Sequence, residues 1–78
     1  MITAGQIRAS RALLGIDQRR LAEAAGLSLP TIQRMETSES VIRGNVDSLM
    51  KLVAALNDLG IELIADNAAS QNAVVAYG

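Results

Sequence analysis

Seventy-eight residues with half of them apolar, a formal charge of −1, and neither cysteine nor histidine allow one small domain and exclude several chemistries at once. Without cysteine there is no disulfide framework or thiolate metal site. Without histidine the commonest metal ligand and the usual general base near neutral pH are also missing. With no Trp, no Phe and Tyr77 as the sole aromatic, the core has to be aliphatic, which suits closely packed helices better than a large ligand pocket. The start of the chain lacks a basic stretch followed by a long apolar run, and no apolar run nears the roughly 20 residues that span a bilayer. A cytoplasmic protein with no membrane association is therefore expected.

Charge is unevenly placed. Residues 1–44 carry Arg8, Arg11, Arg19, Arg20, Arg34 and Arg43 against Asp17, Glu23, Glu36 and Glu39, an excess of two positive charges. Residues 45–78 carry Lys51 against Asp47, Asp58, Glu62 and Asp66, an excess of three negative charges.

In chain order, Thr3 followed three residues later by Gln6 has the spacing of a capping box. It opens a first helix over roughly 4–14, with Ile7, Ala9 or Ala12, Leu13 and Leu14 as its apolar stripe and Gly15 as its end. Asp17 is a suitable N-cap for a second helix, Gln18 to Ala25, which presents Leu21, Ala22 and Ala25 on one face and ends at Gly26. Ser28 caps a third helix from Leu29 to about Thr37, where Pro30 falls in the first turn and Ile32 and Met35 point inward. The polar stretch after it reads as a loop through Gly44, with Val41 beneath it. Asn45 caps a fourth helix, Val46 to Leu59, in which Leu49, Leu52, Val53, Leu56 and Leu59 repeat at helical period and Gly60 is the stop. Ile61–Ile64 and Ala73–Tyr77 are strand candidates separated by a turn-like Asp66–Asn72. The architecture expected is mainly α: four helices over 1–60, then a β-hairpin or strand pair over 61–78.

Residues 18–36 carry the most specific pattern. Two helices crossing steeply through a three-residue turn need a small residue at the crossing, a left-handed turn position and apolar anchors on both helices. Ala22, Gly26, and the set Leu21, Ala25, Leu27, Ile32 and Met35 meet these needs together. On these residues the chain resembles the Xre/lambda-repressor-like helix-turn-helix family, including Cro/C1-type repressors and restriction–modification controller proteins. The likeness runs over residues 3–60 and is densest at Gln18–Glu36.

That resemblance implies a regulator that binds double-stranded DNA, with the third helix in the major groove. Position by position it implies base contacts from Leu29, Pro30, Gln33 and Arg34. Backbone contacts are implied from Gln18, Ser28, Thr31, Thr37 and Arg43, and a structural ion pair between Arg11 and Glu36. Arg34 can grip guanine or a phosphate, and Gln33 can read adenine or stay solvated. Leu29 and Pro30 depart from the polar readers common at these positions; they suit thymine methyls or a greater reliance on DNA shape. For Arg8, Arg19 and Arg20, phosphate contact and a merely solvated face are both open. The strands after Gly60 depart from the family's usual fifth helix. They either close the monomer or form a dimer interface, the favoured reading, with Leu59, Ile61, Leu63, Val74, Val75 and Tyr77. The expected partners are DNA and a second copy of the chain, with a toxin or activator protein as the alternative; no cofactor, metal site or enzymatic activity is expected.

Overall fold

The computed structural model describes residues 2–37, 46–66 and 71–77. Four helices, α1 (Ala4–Leu14), α2 (Gln18–Ala25), α3 (Leu29–Thr37) and α4 (Val46–Asp58), precede two antiparallel strands, β1 (Ile61–Asp66) and β2 (Gln71–Ala76). The mainly α architecture with a C-terminal hairpin is the one expected, and the helix limits agree to within a residue. Both strands run longer than anticipated, because Asp66, Gln71 and Asn72 pair across the hairpin instead of lying in its turn. The expected loop features Val41 and Gly44, the Asn45 cap and Arg43 lie outside the described residues.

The first two helices start on the caps their sequence offers. Thr3 Oγ1 accepts the Gln6 N–H at 3.2 Å while Gln6 Oε1 accepts the Thr3 N–H at 2.8 Å, a reciprocal capping box. Asp17 Oδ1 accepts the Arg20 N–H at 2.8 Å. Gly26 ends α2 at φ +69°, where a side chain would be strained, and its N–H returns to Ala22 and Glu23.

The core is aliphatic, as composition required. Ile7, Leu21, Ile32, Leu52, Leu56 and Ile61 are its largest fully buried members, joined by Ala22, Ala25, Met35 and Ala55. One feature of α1 differs from the sequence reading. Leu13 is 57% exposed, and Ala9 and Ala12 also face outward. The inward face runs instead through Ala4, Ile7 and Ser10, with Leu14 half-buried. Ser10 can hold a buried position because its hydroxyl donates to the Gln6 carbonyl at 2.7 Å, and Arg11 at the adjoining position is committed to an ion pair. In α4 the apolar excess stays outside: Val46 is 67% and Met50 65% exposed, while Ala55 takes an inward place the leucine period did not suggest.

The hairpin forms within one chain and closes the domain. Ile61 pairs with Ala76, Leu63 with Val74 and Ile64 with Ala73, and the Tyr77 N–H extends the ladder to the Gly60 carbonyl at 2.7 Å. Alternation turns Ile61, Leu63 and Val74 onto the helices. Ile61 is only 1% exposed and so is taken up by the core, while Leu63 and Val74 pack against the core and stay half-buried. Glu62, Ile64 and Tyr77 lie on the outer side, where the Tyr77 hydroxyl donates to Glu62 Oε1 at 2.8 Å. That hydrogen bond, and secondarily the carboxylate's charge, hold the phenol above its ordinary pKa.

Two contacts fix the hairpin on the helices. The Gln6 amide nitrogen donates to both the Ile64 and the Ala73 carbonyls at 2.9 Å, so a helix-capping side chain also clasps both strands. At the other end Gly60 adopts φ +92°, and a Cβ there would stand 2.6 Å from the Tyr77 carbonyl oxygen. Gly60→Ala therefore combines backbone strain with a collision against main chain. Urea unfolding is expected to show a loss of at least about 2 kcal/mol; a loss below about 0.5 kcal/mol would show that the hairpin end shifts freely.

Candidate nucleic-acid interface

α3 has two sides with different duties. Ile32, Met35 and Glu36 are buried, whereas Pro30, Gln33, Arg34 and Thr37 are exposed and follow one another at the three- and four-residue steps that align on one helix face. Leu29 and Thr31 are half-buried at the edge of that face, and Ser28 is exposed at its start. All the expected contact residues of the turn and α3 thus fall on or beside one stripe, with Leu29 the least accessible to solvent among the four expected base contacts.

The inward side is fixed chiefly through Glu36. Its carboxylate is only 3% exposed and receives Arg11 through two hydrogen bonds, Nε to Oε2 and Nη2 to Oε1, each 2.7 Å. The two-point geometry suits the planar guanidinium, whose pKa is raised mainly by the hydrogen bond to Glu36, against desolvation that lowers it. Gln18 Nε2 donates to Glu36 Oε1 at 3.2 Å, and Arg11 Nη1 reaches the Ile16 carbonyl at 3.4 Å. One acid on α3 thereby ties together α1, the α1–α2 turn and α2. The Arg11–Glu36 pair expected from the resemblance is present.

Two residues act in ways the sequence did not suggest. Arg8, read as either solvated or a phosphate contact, donates from Nη1 to the Glu36 backbone carbonyl, placing a cation near the C-terminal end of α3 where the helix dipole favours it. Gln18 is joined to Glu36, which uses one amide hydrogen and leaves the second with Oε1 for another partner. An arginine two residues after Gln6 and one turn before the ion-paired Arg11 was the available signal for Arg8, but nothing in the spacing distinguishes a carbonyl from a phosphate.

On the outer side, short polar links run along the helix. The Ser28 and Thr31 hydroxyl oxygens are 2.8 Å apart, Arg34 Nη2 donates to Thr31 Oγ1 at 3.4 Å, and the Thr37 hydroxyl donates to the Arg34 carbonyl at 2.9 Å. The turn itself is held by the Leu27 N–H to the Ala22 carbonyl at 2.9 Å. Ala22, 4% exposed, is the small residue that lets the helices approach.

Among the described residues no group of acids could hold a metal ion, and no helix is long and apolar enough to cross a membrane. No curated protein matches the chain. A helix-turn-helix family model matches residues 7–64, three quarters of the sequence and all of the helical scaffold just described apart from the first turn of α1. The chain belongs to the Cro/C1-type helix-turn-helix family of DNA-binding transcription regulators.

Proposed function

We propose that the protein is a sequence-specific regulator, a repressor in its simplest mode and able to activate where its site adjoins polymerase, that binds an inverted-repeat operator as a homodimer. The observation that carries this reading is the exposed stripe Pro30, Gln33, Arg34 and Thr37 on a helix whose opposite side is locked by Glu36. Gln33 and Arg34 supply polar base contacts and Pro30 with Leu29 apolar ones. Ser28, Thr31, Thr37, Gln18 and Arg43 contact the DNA backbone.

A dimer follows from the shortage of polar readers, since a single half-site touched by one glutamine and one arginine binds weakly. The protomer measures 33 × 30 × 18 Å, so two side by side can place their α3 helices about one DNA turn, roughly 34 Å, apart. Leu59, 44% exposed, and Tyr77, 64% exposed, with half-buried Val75, are interface candidates that keep surface to offer. The same surface and the acidic second half of the chain also suit a protein partner such as a toxin or activator, the alternative reading.

Genome-wide footprinting at low salt tests the proposal, with Arg34→Ala and Gln33→Ala as controls. A palindromic site is expected for the parent protein, and Arg34→Ala should weaken it by about five- to a hundredfold, the range for one guanine contact. If dimeric protein retards no fragment in a gel-shift at low salt, DNA reading by this face is excluded. Co-purification of a stoichiometric protein partner in its place would favour the alternative.

A further inference from the structure

We propose that Thr31 positions Arg34, and that the outward side of α3 is thereby set to read a guanine. The inference rests on the DNA-reading face proposed above and deepens it by naming a base and the residue that sharpens its selection.

Ser28, Thr31 and Arg34 are spaced by three residues and form one chain of hydrogen bonds along α3. The Thr31 N–H donates to Ser28 Oγ at 3.3 Å, the two hydroxyl oxygens are 2.8 Å apart, and Arg34 Nη2 donates to Thr31 Oγ1 at 3.4 Å. Ser28 and Arg34 are exposed at its ends and Thr31 is half-buried between them. An exposed arginine normally samples many rotamers. Here one of its nitrogens is drawn back by one helical turn toward the start of α3, so the guanidinium plane is oriented before DNA arrives.

Counting hydrogens shows what this chain offers outward. If the Thr31 hydroxyl donates to Ser28, then Thr31 Oγ1 accepts from Arg34, and Ser28 Oγ accepts both the Thr31 N–H and the hydroxyl. The Ser28 hydrogen is then free. If Ser28 donates to Thr31, the Thr31 hydrogen is free instead. Either polarity leaves one hydroxyl hydrogen and the remaining N–H fork of Arg34. The chain therefore presents chiefly donors. In the major groove a paired acceptor, O6 with N7, belongs to guanine, while adenine and cytosine present an amino donor that the fork would oppose. The spare hydroxyl hydrogen suits a phosphate oxygen.

Selection from a random DNA library, followed by competition with the four bases at each selected position, tests this. The parent protein is expected to prefer guanine about tenfold or more at one half-site position, and Arg34→Ala to abolish that preference. Thr31→Val keeps the side-chain shape and the Thr31 backbone bond to Ser28 but removes the hydroxyl. It should reduce the preference at that position about three- to tenfold and leave the others unchanged, while Thr31→Ser restores it. In the Arg34→Ala background Thr31→Val should add nothing. Thermal melts of each variant accompany the measurement, and Thr31→Ala serves in place of Thr31→Val should that variant not fold.

An undiminished guanine preference in Thr31→Val overturns the proposal. So does an equal loss of guanine preference in the Arg34→Ala background, which would mean that Thr31 reads the base for itself rather than contacting only the DNA backbone. If the parent protein selects no sequence at all, the DNA-reading face fails and this inference fails with it, an outcome separate from the other two.

Discussion

Gln6→Glu is expected to destabilise the domain by about 3 kcal/mol or more at neutral pH, although glutamate is a favoured residue at the third position of a capping box. Local helix chemistry points the other way: a carboxylate near the start of α1 would gain about 0.3–1 kcal/mol from the helix dipole. What decides the sign is the second task of the side chain. The amide donates to the Ile64 and Ala73 carbonyls at 2.9 Å each, and the residue is only 5% exposed. A carboxylate has no hydrogen to give either strand, so two carbonyls lose their donor and face a negative oxygen instead, at roughly 1–3 kcal/mol for each polar group left unpaired. The same repulsion raises the carboxyl pKa in the folded state above the value of about 4.3 in the unfolded chain. A group shifted upward supports folding fully below its unfolded pKa and loses that support as pH rises through the folded pKa. The variant should therefore approach parent stability on acidification and lose it toward neutrality. Urea unfolding followed by circular dichroism across this range is the measurement. A variant as stable as the parent at pH 7 would mean that the clasp contributes nothing.

Glu36→Ala is the second large effect, expected at about 3–5 kcal/mol. Removing a nearly buried carboxylate leaves Arg11, which is 23% exposed at its side chain, without the two 2.7 Å hydrogen bonds that offset its desolvation. A domain of this length holds on the order of 4–12 kcal/mol in total, so the variant would lose at least about a quarter of its stability. The double replacement Arg11→Met with Glu36→Leu should recover much of the loss, because an apolar pair of similar volume needs no charge compensation. A double variant no more stable than Glu36→Ala would show that the three-element anchoring, including Gln18, matters beyond the pair. Restored stability with lost DNA binding would assign the ion pair to aiming α3.

Much of this scaffold was legible in the sequence, and particular residues show why. Thr3, Asp17 and Gly26 act within four residues of themselves, so their roles as caps and turn follow from local spacing. The helix-turn-helix spacing placed Ile32 and Met35 inside and Gln33 and Arg34 outside because α3 has a regular period. The Arg11–Glu36 pair, 25 residues apart, came only from the family resemblance. What could not be read were the contacts made at long range by residues with short-range explanations. Gln6 was complete as a capping residue, and nothing local indicates that its amide reaches strands 58 and 67 residues away. Leu13 was assigned inward because an apolar residue was assumed to take the core side. The serine on that side is accommodated by its bond to the Gln6 carbonyl one turn back, and the arginine by a partner 25 residues away.

The Gln6 clasp and the burial of Ile61 have a consequence for the order of events in the cell. The first helix is pinned by the last strand, and the core on which α3 rests is closed by a residue that follows all four helices. Such contacts join the extremes of the described chain, so the reading helix cannot gain its support during synthesis as each helix emerges. DNA-binding competence is reached only after Tyr77 has left the ribosome. Products ending before the hairpin lack Ile61 from the core and are expected to be substrates for proteolysis.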